Sequence, residues 1–437
     1  MNRTRIAKTR PFIALVAVAG LTACGGSGQD SSGTGTVGGD ITYSYWGSPA
    51  RAEKVNKVIA AYQSANQGVK VTGEVADYNA YIERMTVRAA GGGLPCVIGT
   101  QSTFIAPYAE KNVLLPLDDL IESKAIDVSQ IPEDVLKAGR IDDKQYMIPT
   151  GTFVRLVAYN VDLVEKSGAA APTNDLTWAA YADWLKQVQQ GLPPGKYAGE
   201  IEAGNMFSFT SWVVGHGQQM FADGALGFDK QLMIDWFDYW LDLQKAGATV
   251  PPSMLADQQL SLEQTPLAKG VAVSGTRDIP HLYITEKALA ANGLGTSVKA
   301  VSIPVDGSVP SANVLGSNGL SIPKSCDNKA TAASFINFFA NDKAAALAFQ
   351  SDNGILTNTA NQEALLSDGQ TPGGVKQNVA ILRDLTGRSD LATSSYPDGL
   401  STLTAELTRL YQQVAFGKAT PEEATDGFFD KAAQALR

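Results

Sequence analysis

The chain of 437 residues is long enough to form two cores of ordinary domain size, and it is acidic, with a formal net charge of −9. An acidic chain is a poor candidate for binding nucleic acid, which needs basic patches, and for lying flat on anionic lipid. With two histidines and three cysteines, it offers few side chains that could activate a nucleophile or bind a transition metal.

The N-terminal residues have the pattern of a bacterial lipoprotein signal. Four basic side chains precede an apolar run from Pro11 to Leu21, which is too short to span a bilayer as a helix. The run ends in Leu21, Thr22, Ala23 and Cys24, which resembles the lipobox. We therefore expect residues 1–23 to be removed and Cys24 to carry lipid. An ordinary secretory signal with a chance cysteine is the alternative.

The residues after Cys24 predict a flexible tether. Residues 24–39 are mostly Gly, Ser, Thr, Gln and Asp, which bury little and stay flexible. Loss of residues 1–23, with four basic and no acidic side chains, changes the net charge from −9 to −13. No later segment is long and apolar enough to cross a membrane, so the predicted membrane contact is through the lipid alone.

Strands and helices then alternate. The pattern predicts strands at Ile41–Trp46, Val69–Val75 and Cys96–Thr100, with helices between them around Val55–Tyr62 and at Tyr78–Ala90. This βαβαβ order predicts a parallel sheet with helices on both faces.

The alternation continues along the rest of the chain. We predict an extended run at Phe153–Tyr159, helices at Thr177–Gln189 and Gln231–Lys245, and strands at Gly270–Ser274 and Leu320–Pro323. Residues 274–278 are predicted to open a helix and residues 316–319 to form a glycine-rich turn. Amphipathic helices are predicted at the C-terminal end.

Several segments, in order, resemble one protein family. They are Tyr45-Trp46-Gly47, Ala65–Val71, Leu94–Ile98, Leu114–Asp118, Tyr159–Val164, Leu176–Trp178 and Gly417–Ala424. Together they resemble the extracellular solute-binding proteins of bacterial sugar importers, the family of maltose-binding protein. Cys96 stands where that family usually has an aspartate.

The resemblance implies an α/β, two-lobed periplasmic-binding-protein-like fold, with two doubly wound sheets joined by hinge strands. The first lobe would comprise residues 40–152 plus 310–357, and the second 153–309 plus 358–437. A carbohydrate would be held in the cleft and passed to the transmembrane permease subunits of an ABC importer. The protein would act as a monomer without a cofactor, lipid-anchored to the outer face of the cytoplasmic membrane.

Two cysteines remain once Cys24 is assigned to lipid. From the residues alone, Cys96 and Cys326 could pair or stay as separate buried thiols. The resemblance implies a disulfide, because in the family the strand before Cys326 runs antiparallel beside the strand that starts at Cys96.

Ligand contacts are expected beyond the carboxyl ends of the strands. A sugar offers an apolar face to aromatic rings and hydroxyls to polar side chains. The candidates for ligand binding are Trp46, Asp77, Tyr78, Gln101, Ser102, Arg155, Trp178, Trp212, Arg277, Asp278 and Asn318, with Phe207, Tyr283 and Tyr396 as further aromatic candidates. Core packing is the alternative for Trp178 and Trp212, and helix capping for Asp278.

Three other functions are alternatives: an enzyme, a metal-binding protein and a binding protein for a phosphorylated ligand. A hydrolase with a nucleophile would need His216 or His281, and no Gly-x-Ser-x-Gly segment accompanies either. Paired carboxylates of a glycosidase stay open, because many pairings are conceivable. A metal site is not predicted, since the two histidines lie far apart in the sequence. Arg155 and Arg277 leave a phosphorylated ligand as an alternative.

Overall fold

The computed structural model describes residues 35–255, 261–294, 297–306, 309–388, 390–394 and 396–436. The predicted signal peptide, Cys24 with its predicted lipid and most of the predicted tether lie outside these residues. Within the described ranges, no helix combines the length and apolar character needed to cross a membrane. Gly38 already belongs to the fold, because its backbone N–H donates to Thr331 Oγ1 at 2.9 Å.

The chain begins with the predicted βαβαβ unit. Its elements are β1 (Gly39–Trp46), α1 (Pro49–Ala65), β2 (Val69–Ala76), α2 (Tyr78–Gly91) and β3 (Val97–Gln101). Strand β1 pairs in parallel with both β2 and β3. The side chain of Ser48 accepts a hydrogen bond from the N–H of Arg51, which caps α1 and fixes where the chain turns from strand to helix.

The middle of the chain alternates similarly. It contains α3 (Ala106–Glu110), α4 (Asp118–Glu122), α5 (Glu133–Leu136), β4 (Arg140–Ile141), β5 (Lys144–Gln145), β6 (Ile148–Asn160), α6 (Val161–Ser167), α7 (Trp178–Gln190), β7 (Tyr197–Gly199), α8 (Met206–Gly215), β8 (Phe221–Ala222), β9 (Ala225–Leu226), α9 (Lys230–Lys245), β10 (Ala272–Asp278), α10 (Ile279–Ala291) and β11 (Val298–Val301).

The last third is mostly helical. Its elements are β12 (Val314–Ser321), α11 (Lys329–Asn341), α12 (Lys343–Phe349), β13 (Ile355–Leu356), α13 (Thr359–Ser367), α14 (Gly373–Gly387), β14 (Ala392–Thr393), α15 (Leu400–Ala415) and α16 (Pro421–Ala435). Short 3₁₀ turns occur at 137–139, 252–254 and 262–264.

Strand β6 joins two halves of one hydrogen-bonded sheet. Its first half, Ile148–Val154, pairs antiparallel with β12, and its second half, from Arg155 onward, pairs with β10 and β11. The strand order is β2-β1-β3-β12-β6-β10-β7. The two predicted sheets are therefore continuous through β6, which is long enough to serve both.

Two large cores and one small cluster fill the space between the sheet and the helices. The first core packs α1, α11 and α12 against the sheet around Tyr62 and Phe335, and it continues to α10 and α14. The second core is rich in tryptophan and centres on Trp236. The small cluster, with Tyr81 and Met85, lies beneath α2.

Two predicted boundaries were wrong. Residues 274–278 lie in strand β10, and the helix begins only at Ile279. Residues 316–319 lie inside β12, which is hydrogen-bonded on both sides. Glycine here serves close packing and not a turn, because a Cβ on Gly316 would overlap the ring of Phe153 on the neighbouring strand.

The structure contains a disulfide between Cys96 and Cys326, the pairing that the family resemblance implies. Cys96 directly precedes β3, and Cys326 follows the end of β12, which runs antiparallel to β3. The bond therefore closes a link between neighbouring strands that are 230 residues apart in the chain.

Candidate ligand-binding cleft

A large cleft lies at the carboxyl ends of β1, β2, β3 and β10. Its volume is about 1990 Å³, whereas a pocket for one small molecule typically measures about 300–1,000 Å³. Nine of the predicted ligand residues line it: Trp46, Asp77, Tyr78, Gln101, Arg155, Phe207, Asp278, Asn318 and Tyr396. The cleft therefore has room for a ligand of several sugar-sized units.

Hydrogen bonds fix the polar side chains on one wall. The amide nitrogen of Gln101 donates to Asn318 Oδ1 at 2.8 Å, and Asn318 Nδ2 donates to the carbonyl of Asn353 at 3.0 Å. Thr103 Oγ1 donates to Gln101 Oε1 at 2.6 Å. Because these amides are already held in place, little conformational freedom is lost when their remaining hydrogen-bonding positions meet a ligand.

Aromatic rings form the apolar part of the same wall. Tyr78 is 44% exposed, whereas Trp46 is only 8% exposed. Trp46 packs under its neighbours, with ring centroids 5.7 Å from Tyr78 and 6.0 Å from Phe104. Tyr78 is therefore the ring most available to a ligand, and Trp46 supports it from below.

Arg51 ties this wall to the loop before β13. Its Nε donates to Asp352 Oδ2 at 2.7 Å, and its Nη1 donates to the carbonyl of Trp46 at 3.0 Å. Burial opposes the charge of Asp352, but the hydrogen bonds from Lys54 and Arg51 outweigh it and lower the pKa of this carboxyl. Arg51 thus holds the end of β1 in position.

Arg155 is the central polar group of the opposite wall. Its Nη2 lies 3.2 Å from Asp278 Oδ2, and its Nη1 donates to Thr276 Oγ1 at 3.2 Å. The guanidinium also lies 5.6 Å from the centroid of the Phe207 ring, a cation–π contact. Phe207 in turn packs edge-on against Tyr396 at 5.9 Å.

Every basic side chain that lines the cleft within the described ranges is paired with a carboxylate. The pairs are Arg51–Asp352, Lys111–Asp398, Arg155–Asp278 and Arg409–Glu406. The carboxylates of Asp77 and Glu83 also line the cleft, and neither has an ion-pair partner in this part of the structure. Among the described residues, the cleft consequently offers no unpaired cation to an anionic ligand.

His281 lies beside Arg155 on the second wall. Burial lowers its pKa from 6.5; Arg155 and Arg277 lower it further, and the nearby carboxylates of Asp278 and Glu263 oppose them. The folded protein therefore binds a proton at His281 less readily than the unfolded chain does. His281 is neutral near pH 7, and its contribution to stability is lost as the pH falls below about 6.5.

Replacing His281 with glutamine should make stability less sensitive to acid. Between about pH 6.5 and pH 5, the free energy of unfolding should fall more steeply for the wild type than for His281→Gln. Urea unfolding at several pH values measures this difference. His216→Gln is the matched control, and an equal change in both variants would contradict this role of His281.

The predictions for Trp178 and Trp212 as ligand residues are not supported. Both rings lie in the second core, with centroids 5.0 Å apart, and neither lines the cleft. Trp212 Nε1 donates to the carbonyl of Leu232 at 3.1 Å. Core packing was the alternative for both: for Trp178 from the apolar spacing of its helix, and for Trp212 from the apolar segment around it.

The structure also gives structural roles to Ser102 and Arg277. Ser102 Oγ accepts a hydrogen bond from the N–H of Ser317 at 3.1 Å, which fastens β12 beside the end of β3. Arg277 is 5% exposed and forms two hydrogen bonds with Glu200, at 2.8 and 3.0 Å. Neither residue lines the cleft, although Arg277 lines a smaller cavity beside it.

Other cleft residues were missed in the sequence. Phe104, Tyr108, Arg51, Asp352 and His281 line the cleft but were not predicted as ligand contacts. Phe104 and Tyr108 follow the carboxyl end of β3, so the rule that identified Gln101 could have found them. Tyr283, a further aromatic candidate, lies outside the cleft.

Within the described ranges, no group of three or more His, Cys, Asp or Glu side chains is arranged to hold a metal ion.

Comparison with known proteins identifies relatives of this fold. An extracellular solute-binding protein of Alicyclobacillus acidocaldarius is 21% identical, with a TM-score of 0.75 over 92% of this chain and 99% of its own. A substrate-binding protein of Listeria monocytogenes in complex with cycloalternan is 20% identical, with a TM-score of 0.74 over 91% and 99%. The GacH receptor of Streptomyces glaucescens is 16% identical, with a TM-score of 0.71 over 92% and 99%.

These likenesses confirm the predicted two-lobed α/β fold class. Among curated relatives, a protein of Brucella abortus named as a binding protein is 25% identical over 167 residues, which are 37% of this chain and 39% of the relative. The family model for bacterial extracellular solute-binding proteins matches residues 57–381. That match spans most of the chain, and this protein therefore belongs to the bacterial extracellular solute-binding proteins.

Proposed function

We propose that this protein captures a neutral sugar or oligosaccharide in the cleft and delivers it to the transmembrane subunits of an ABC importer. Cys24 would anchor it through lipid to the outer face of the cytoplasmic membrane, and it would act as a monomer. The observation that carries the proposal is the composition of the cleft: an exposed ring, pre-positioned amides and ion-paired cations.

The wall chemistry suits a carbohydrate. The ring of Tyr78 can cover the apolar face of a pyranose, while Gln101, Asn318 and Asp77 can pair with its hydroxyls. The Listeria relative was solved with cycloalternan and the Streptomyces relative with acarbose. These ligands belong to those proteins, and they support the same ligand class here.

The pairing of charges favours a neutral ligand over a phosphorylated one. Arg155 is engaged by Asp278, and Arg277 is engaged by Glu200 away from the cleft. A phosphate would have to share one of these guanidinium groups with its carboxylate partner and would also face the unpaired Asp77 and Glu83. Both effects cost electrostatic energy that a hydroxyl group does not meet.

Capture would occur by hinge closure. Strand β6 runs from one half of the sheet to the other. The two predicted lobes would rotate about β6 and the other chain segments that pass between them; the lobes are residues 40–152 plus 310–357 and residues 153–309 plus 358–437. A ligand that contacts both walls only when they approach shifts the population toward the closed form. The importer subunits would then recognise the closed surface.

A thermal-shift screen of neutral saccharides and their phosphorylated or uronic-acid analogues tests the ligand class. At a ligand concentration of about 100 Kd, a cognate sugar should add about 2.7 kcal/mol to the free energy of unfolding. The charged analogues should bind at least about tenfold more weakly, a difference of about 1.4 kcal/mol. Titration calorimetry of the best ligand then gives its affinity.

Tyr78→Ala and Val87→Ala form a matched pair for this screen. Both side chains are exposed on α2, at 44% and 68%, but only Tyr78 lines the cleft. We expect Tyr78→Ala to weaken binding about tenfold or more, because it removes a ring face from the ligand, and Val87→Ala to change it by less than twofold. Equal effects, or tighter binding of the charged analogues, would refute the proposal.

The family is one of substrate-binding proteins, and we propose that this member is not an enzyme. The bound saccharide should therefore be recovered intact after prolonged incubation. Chromatography of the recovered ligand measures this, and release of shorter sugars would instead support the alternative of a carbohydrate-active enzyme with paired carboxylates.

A further inference from the structure

A second, smaller cavity adjoins the floor of the cleft. We call it the side chamber; its volume is about 160 Å³, and Glu202, Asn205, Thr276, Arg277 and Tyr411 are among its lining residues. Arg155, His281, Thr408 and Gln412 line both the cleft and the side chamber. A ligand in the cleft could therefore extend one end past these four side chains.

Two buried polar atoms of side-chamber residues lack a partner. Tyr411 is 1% exposed and Arg277 is 5% exposed, and neither Tyr411 Oη nor Arg277 Nε has a hydrogen-bond partner among the described residues. A buried polar atom without a partner costs free energy that a bound group can recover. Arg277 Nε can only donate, whereas Tyr411 Oη can donate or accept.

The side chamber also contains acceptors. Glu202 is 4% exposed; its Oε1 accepts from the N–H of Thr276 at 2.7 Å and its Oε2 from Ser208 Oγ at 2.9 Å. Each carboxylate oxygen can accept a second hydrogen bond. The lining thus offers both donors and acceptors, a combination that hydroxyl groups can satisfy because they act as both.

The charges of the lining balance. The lining contains two guanidinium groups, of Arg155 and Arg277, and two carboxylates, of Glu200 and Glu202, and Arg277 and Glu200 form a direct ion pair at 2.8 Å. A charged ligand group would disturb this balance in a buried site, where an unpaired charge is expensive. The chamber therefore favours a neutral group.

We propose that the side chamber is a subsite for one neutral, hydroxyl-rich end of the ligand, held by Tyr411 Oη, Arg277 Nε and Glu202. This inference rests on the proposed function, because it assumes a saccharide in the cleft. It adds that recognition continues behind the cleft floor, and that one terminal unit of the ligand is enclosed while the rest lies against Tyr78.

The test compares Tyr411→Phe with Tyr62→Phe. Both tyrosines are buried in cores. The hydroxyl of Tyr62 lies in the first core and donates to Ser334 Oγ at 2.9 Å, whereas the hydroxyl of Tyr411 has no partner in the described part of the chain. The probe is the tightest-binding member of a panel of glucose, galactose, mannose and xylose with their di- to tetrasaccharides. Calorimetry gives the affinity, and thermal unfolding without sugar gives the stability.

Tyr411→Phe should weaken binding about three- to tenfold and leave the unliganded melting temperature unchanged or raised. Tyr62→Phe should do the reverse, lowering the melting temperature and leaving affinity within twofold. As a second variant, Gln412→Phe adds bulk at the entrance and should weaken the best ligand by more than tenfold. These variants separate a binding role from a structural one.

Two outcomes distinguish the failure of this inference from the failure of the proposed function. If the wild type binds no saccharide in the panel, the proposed function fails. If the wild type binds but Tyr411→Phe and Gln412→Phe both match it within twofold, the side chamber holds only solvent and the inference is overturned, while sugar capture in the cleft stands.

Discussion

Replacing Arg277 with methionine should remove about 3–5 kcal/mol from the free energy of unfolding. The guanidinium is 5% exposed and donates to both carboxylate oxygens of Glu200, to the carbonyl of Thr276 and to Thr265 Oγ1. Burial opposes its charge, yet the adjacent Glu200 carboxylate raises the pKa of Arg277. Without Arg277, Glu200 would stay buried with no cation beside it.

Urea unfolding, monitored by tryptophan fluorescence, measures this loss of stability in the part of the protein that contains Arg277. Five of the six tryptophans lie in the second core, which also contains residues of β10, the strand that carries Arg277. The double variant Arg277→Met with Glu200→Gln should recover at least about 2 kcal/mol relative to the single variant, because the uncompensated carboxylate is gone.

An exposed ion pair provides the control. Lys245 and Asp242 lie on the surface of α9, each with 70% of its side chain exposed, and Lys245→Met should change stability by no more than about 0.5 kcal/mol. If Arg277→Met changes stability no more than this control does, the structural role of Arg277 is wrong.

The N-terminal unit could be predicted because its signals are local. Each signal occupies a short stretch of sequence: the apolar residues of α1 recur every three or four positions, β2 is rich in β-branched residues, and Gly-Gly-Gly-Leu-Pro ends α2 before β3 begins. In β10 and β12 the local signals predicted structure other than strand. Gly275 suggested a helix start and Gly316 a turn. Each is instead a strand position where a Cβ would overlap a side chain distant in sequence, Glu200 for Gly275 and Phe153 for Gly316.

The residues of the candidate site likewise fall into those that local sequence signals predict and those that they do not. Residues at strand ends, such as Asp77, Gln101 and Asp278, follow from the rule that ligands lie beyond the carboxyl ends of strands, and all three line the cleft. Arg277 is adjacent to Asp278, but successive side chains of a strand point to opposite faces. Its partner Glu200 is 77 residues away, so no local pattern could reveal that Arg277 faces inward.

Tryptophans were the least informative residues. A tryptophan that binds a sugar and a tryptophan in a core look the same in the sequence, and only their packing in the structure distinguishes them. Trp178, Trp212 and Trp236 contact one another with centroid distances of 5.0–5.7 Å in the second core. Tyr78 is the exposed ring of the cleft, because it begins α2 directly after the end of β2.

Removing the Cys96–Cys326 disulfide should be the other large perturbation. The bond joins residues 230 positions apart, so in the loop-entropy description it restricts the unfolded chain strongly, and its loss should cost about 3–5 kcal/mol. For the double variant Cys96→Ser with Cys326→Ser, this corresponds to a melting temperature lower by about 4–10 °C. Differential scanning calorimetry of the oxidised protein and the variant measures the change.

A reductant supplies the internal control. It should lower the melting temperature of the wild type toward that of the double variant and leave the double variant unchanged. If the reductant lowers the melting temperature of the wild type by less than about 1 °C, the unfolded chain gains little conformational freedom when the disulfide is reduced. The loop contains β6, β10 and most of the second core, whose remaining residues lie on α15 and α16. If that core stays folded when the first core unfolds, it keeps the loop ends restrained without the bond, and the loss should then be smaller. The size of the shift therefore reports whether the two cores unfold together or separately.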